Sequence, residues 1–152
     1  MGITIAFYSA LPYEFITLFA SEDEEQFFRE VKRYPVADFS FHLLFPEDLD
    51  RLCQILRSHH FPVPTIFREL LVTQVWYDGD SESLTIIADS FPQAIASLND
   101  TLLELVAQEW SLPFHYQEPL HQTPAYQALL QLRAVSQDVV TQKKALLLHL
   151  LG

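Results

Sequence analysis

Asp78, Asp80 and Glu82 alternate around Gly79, a pattern that puts three carboxylates close together. A calcium loop begins this way, but its sixth position is Gly and its twelfth a bidentate acid. Counted from Asp78, those positions fall on Ser83 and on Asp89, the latter beyond a β-rich run, so the three acids read as a solvated hairpin tip. His115 and His121 flank Glu118 and are the one pair with a spacing from which zinc ligands could converge. His59 and His60 are adjacent, and neighbours on a helix point about 100° apart. His42 shares the polar side of an alternating run with Asp38 and Ser40, the residue types of a hydrolytic cluster. No oxyanion hole accompanies it, so a plain strand face is the expectation. Cys53 is the single thiol, and it sits among Leu49, Leu52 and Leu56 at helical spacing, where burial makes a thiol inert.

Glycines are Gly2, Gly79 and Gly152 alone. A phosphate-cradling loop needs several, so that backbone N–H groups can approach the anion; P-loop and dinucleotide functions are therefore excluded. No Gly-x-Ser-x-Gly elbow occurs. The reading assigns no catalytic residue, no metal and no cofactor.

Charge offers more. The formal net charge is −11, which argues against nucleic acid, whose phosphates need Lys and Arg. It argues equally against anionic lipid. Between Arg68 and Arg133 there is no basic residue, while nine acids occur: Glu69, Asp78, Asp80, Glu82, Asp89, Asp100, Glu104, Glu109 and Glu118. Such a span solubilises a surface, or steers a basic partner to it. Trp76, Tyr77, Trp110, Phe114 and Tyr116 lie in the same stretch, and aromatics ringed by acids suit a protein interface. The expected contact residues for a basic protein partner are Trp76, Asp78, Asp80, Glu82, Phe114, Tyr116 and Glu118.

The elements that must carry these residues follow from pattern. Residues 3–8 are β-branched and aromatic, a buried strand. Pro12 opens a short helix, and Ser21 with Glu24 has capping-box spacing ahead of a helix over 22–33. The alternating 37–43 reads as a half-buried strand and 47–60 as a helix. The runs 70–77 and 84–88 around Asp78-Gly79 form a hairpin. Ser90 caps one helix reaching Trp110, and a Pro-rich loop spans 111–124. From 125 to 151 there is neither Gly nor Pro, and helix is favoured throughout, with a strand over 146–150 as the competitor. The expected architecture is α/β (α+β): a four-stranded mixed sheet packed with helices, order β-α-α-β-α-β-β-α-α, in one domain of 152 residues.

The two ends of the chain resemble the YfbM-like family of small bacterial proteins. The likeness rests on Met1-Gly2-Ile3 running into Phe7, Tyr8 and an early helix over 11–19, and on a terminal helix followed by Lys144-Ala145-Leu146-Leu147-Leu148. It covers about a third of the chain; the hairpin and the Pro-rich loop depart from it. It implies an α/β fold, a C-terminal strand and no assigned activity.

The chain opens without Lys or Arg ahead of an apolar stretch, and its apolar runs fall short of the ~20 residues of a membrane helix. With one cysteine, the reading is a soluble cytoplasmic protein. The leucine-rich tail would expose Leu146, Leu147, Leu150 and Leu151 unless it packs on the domain or on a second copy, as a homodimer. The functional expectation is a non-enzymatic acidic protein-interaction module (adaptor, inhibitor or assembly factor), set against a small hydrolase using His42 or His115 and His121, with or without metal.

Overall fold

The C-terminal run Ala-Leu-Leu-Leu-His-Leu-Leu is the middle strand of the molecule. In the computed structural model, which describes residues 3–41, 43–79 and 81–152, it forms β5 (Ala145–Leu151) between β1 (Thr4–Ala10) and β4 (Glu82–Ile87). β2 (Val36–Asp38) extends the sheet beyond β1 and β3 (Leu71–Asp78) beyond β4, giving the order β2-β1-β5-β4-β3. Every neighbouring pair is antiparallel. The sheet is thus five-stranded and antiparallel, not four-stranded and mixed. A strand covered on both faces reads as continuous apolar sequence, which is why β5 lacks alternation.

The helix reading of the tail failed at one residue. α6 (Pro124–Gln142) ends because Lys143 takes a left-handed conformation, φ 54°, and Lys144 N–H returns to the carbonyl of Val139. Glycine normally occupies that position, and here a lysine does. Leu146 and Leu147 are fully buried and Leu150 partly so, whereas Leu151 at the strand's end is 38% exposed, so the domain itself covers most of the tail.

Helices cover both faces. α1 (Pro12–Phe19) and α2 (Glu24–Val31) lie on one, where Phe15, Phe19 and Phe27 pack with Tyr8, Leu84, Leu147 and Trp76. α3 (Glu47–Ser58), α4 (Ser90–Ala96), α5 (Asp100–Ser111) and α6 lie on the other, over Ile5, Phe7, Ile87, Leu146 and Leu148. Phe7, Phe39, Phe67 and Phe91 form a chain of aromatic contacts at the centre of that larger core.

Three boundaries differ from expectation, each through a polar side chain. α2 starts at Glu24, since Asp23 rather than Ser21 accepts the N–H of Gln26. The strand expected over 37–43 stops at Asp38: Asp38 Oδ1 accepts from Ser40 N, and Ser40 Oγ accepts from Ile5 N, replacing the ladder with side-chain bonds. The single helix expected from Ser90 to Trp110 is two, because Asn99 in extended conformation caps α5 by accepting from Leu102 N at 2.8 Å. The β3–β4 hairpin forms as read, with Gly79 at φ +61°, a conformation that favours glycine.

Candidate functional site

Asp78 on β3 and Glu82 on β4 stand directly opposite each other beside the hairpin turn. Two residues back from Asp78 on the same face is Trp76, opposite Leu84, and Leu84 is opposite His149 of β5. Side chains that alternate along strands and pair across them share a face. Trp76, Asp78, Glu82, Leu84 and His149 therefore all face the α1–α2 layer.

That layer does not close over them completely. A cleft of about 330 Å³ opens between the hairpin and the helices, lined by Phe19, Ser21, Glu24, Phe27, Phe28, Trp76, Asp78 and Glu82. Its rings meet at steep angles: Phe19 lies 4.9 Å from Phe27 at 85° and 5.5 Å from Trp76 at 63°, and Phe27 lies 5.4 Å from Phe28 at 71°. Phe19 is buried, while Phe28 is 59% exposed. Three carboxylates and, among the described residues, no cation line the walls. Asp78 makes no ion pair among the described residues.

His149 forms the cleft's inner support. Its Nε2 is 2.8 Å from Glu82 Oε2, and its ring is 4.8 Å from that of Phe19. Its Nδ1 is buried without a hydrogen-bond partner among the described residues. The neutral tautomer with the proton on Nε2 meets this geometry, since it donates to the carboxylate and leaves only an acceptor unpaired. Nothing in the sequence pattern marked His149, which lay inside an apolar run; only the register of β4 against β5 brings it to Glu82.

The remaining expected contact residues sit elsewhere. Asp80 and His42 lie outside the described residues. Phe114 packs edge-on to Trp110 and Phe41 and takes the Arg51 guanidinium at 5.3 Å from its ring centre. Arg51 is itself tied to Asp48 and to the carbonyl of Trp110, and Trp110 donates to the carbonyl of Asp48, so this group is internal structure. Tyr116 and Glu118 line a separate hollow with His115 and Leu120. Burial, with the charges of Glu118 and Asp48, pushes the Tyr116 phenol above its ordinary pKa, against a backbone bond from Ala125. These residues belong to the face of the sheet opposite the Trp76 cleft.

The acidic span does not gather on one outward region. Its helical members sit on α5, where Asp100 pairs with Arg133 at 2.9 Å, Glu104 with His121 at 2.9 Å and Glu109 with His59 at 3.1 Å. The partners come from parts of the fold distant in sequence, so the base-free run of sequence is not a base-free surface. Asp89 borders a hollow that it shares with Lys143 and Lys144.

Of the histidines read as ligands, His121 turns to Glu104 and its ring lies 4.6 Å from Tyr126, whereas His115 ends a short 3-10 turn in left-handed conformation. Among the described residues no three of His, Cys, Asp and Glu are grouped to hold a metal ion. Cys53 is buried in the larger core, and burial first, then the charge of Asp50, pushes its thiol up to about 12. No helix among the described residues is long and apolar enough to cross a membrane.

No protein-family model, curated protein or solved structure matches the chain.

Proposed function

We propose that the chain is a non-enzymatic protein-binding module that docks a basic partner, and that its contact surface is the cleft of Trp76, Asp78 and Glu82. The observation that carries this reading is the composition of that cleft: four aromatic rings and three carboxylates around one concavity, without a cationic side chain in its wall among the described residues. Aromatic faces attract cations, by about 0.5–1 kcal/mol when exposed and about 2 kcal/mol when desolvated. Carboxylates at the rim steer the cation in and fix its register. Phe19, Phe27, Phe28 and Glu24 join Trp76, Asp78 and Glu82 as contact residues. Phe114, Tyr116 and Glu118, on the other face, are no part of this docking surface. We propose likewise kinship to the YfbM-like family, which adds no activity, and a cytoplasmic setting.

The test is association with basic peptides, followed by fluorescence anisotropy across a salt series. Binding weakens steeply with salt, is lost in Trp76→Ala and is weakened in Asp78→Asn if the reading holds. Binding that ignores both salt and these substitutions rejects it.

A further inference from the structure

Resting on that reading, we infer that the cleft selects arginine over lysine: the guanidinium of the partner bridges Asp78 and Glu82 while lying against the aromatic lining of Trp76, Phe19, Phe27 and Phe28. Asp78 and Glu82 are direct partners across an antiparallel pair, a relation that brings Cβ atoms within about 4.5–5.5 Å. Like charges so placed repel each other, and a hairpin keeps the arrangement at a cost. His149 engages Oε2 of Glu82, which leaves Oε1, and Asp78 has no ion pair among the described residues. Two carboxylates at this separation ask for a cation with several donors spread over a plane.

A guanidinium offers five N–H donors in a rigid fork and stacks on aromatic faces with little hydration to shed. An ammonium is a compact, strongly hydrated point charge, and it must choose one carboxylate or keep its water. The walls favour the planar group as well. Phe19, Phe27, Phe28 and Trp76 stand at 63–85° to one another in sequence around the cleft, leaving slots between ring faces rather than a flat platform. The cleft, at about 330 Å³, holds one long side chain and not a folded segment. The other basic-binding surfaces are weaker: the acids of α5 are already paired with Arg133, His121 and His59.

Isothermal titration with two short peptides, identical except for a central Arg or Lys, tests this at low salt, with wild-type protein and with Asp78→Asn. Asp78 is exposed, so its replacement leaves the fold intact, which circular dichroism verifies. The expected result is binding of the Arg peptide about thirtyfold tighter than the Lys peptide, the size of one desolvated cation–π contact, with the preference abolished in Asp78→Asn. Equal binding of the two peptides, or tighter Lys binding, overturns the inference and leaves the basic-partner reading standing. An Arg preference undiminished in Asp78→Asn overturns it too, by placing the site elsewhere. Failure of both peptides to bind removes this inference and the docking reading together.

Discussion

The Nε2 of His149 on the central strand lies 2.8 Å from Oε2 of Glu82 on its neighbour, and this bond ties the core of the sheet to the rim of the cleft. His149 is 7% exposed, wedged against Phe19 and Tyr8. Its position in the middle of an apolar strand makes sense only with Glu82 in place.

Removing Glu82 therefore costs more than a surface acid should. Glu82→Ala leaves both imidazole nitrogens unpaired in a buried site, a loss of about 1–3 kcal/mol. Glu82→Gln retains an acceptor for Nε2–H and loses about half as much. Urea denaturation of the two variants reads the difference; equal stability of Glu82→Ala and wild type would mean the pair does nothing for the fold.

Lys143 closes α6 in a left-handed conformation at φ 54°, exposed to solvent. A non-glycine residue there costs on the order of 1 kcal/mol. Lys143→Gly should raise stability by about 0.5–1 kcal/mol, and a β-branched residue at 143 should lower it. Thermal unfolding checks the sign, and a destabilised glycine variant would place the end of α6 elsewhere.

Cys53 gives a pH signature. Its thiol is neutral in the fold up to about 12, against 9.0 as its ordinary value, so above pH 9 the unfolded chain loses this proton and the folded chain keeps it. The folded form then binds more protons, and this group's contribution to stability declines as pH rises from 9 towards 12. In the native protein at pH 8 a thiol reagent should leave Cys53 unmodified, and it should react at once in denaturant. Rapid native modification would contradict the burial of Cys53.

Deleting residues 145–152 removes the strand between β1 and β4 and separates the two halves of the sheet. The truncated chain should lose its cooperative unfolding transition and aggregate. A folded truncated protein of halved mass, by light scattering, would instead restore the tail to the role of a dimer contact.

Local signals in the sequence were enough for the hairpin, for α1 and α3, and for the packing of Cys53. The hairpin announces itself through Asp78-Gly79 between two β-rich runs, because only a few residues accept a positive φ at a tight turn. The C-terminal strand was legible only as the competing reading over 146–150, since its helix stops on a lysine where a glycine would have signalled it. The break at Asn99 was missed for a related reason: the apolar spacing runs on through it, and only the cap of α5 reveals the turn. Around the proposed cleft, Trp76, Asp78 and Glu82 were readable as neighbours because they crowd one turn. Phe19, Phe27, Phe28 and His149 were not, because they reach the cleft from another layer and another strand. The α5 acids misled for the same reason in reverse: their partners are Arg133, His59 and His121, which no local window connects to them.

The central claim is that the space between the β3–β4 hairpin and the α1–α2 layer receives a cationic side chain. Nuclear magnetic resonance titration with an arginine-bearing peptide addresses it most directly. The account predicts that the indole of Trp76, the ring of Phe28 and the imidazole of His149 shift together and saturate at one affinity. Shifts confined to Tyr116 and the neighbourhood of Glu118, or none at all at saturating peptide, would contradict it.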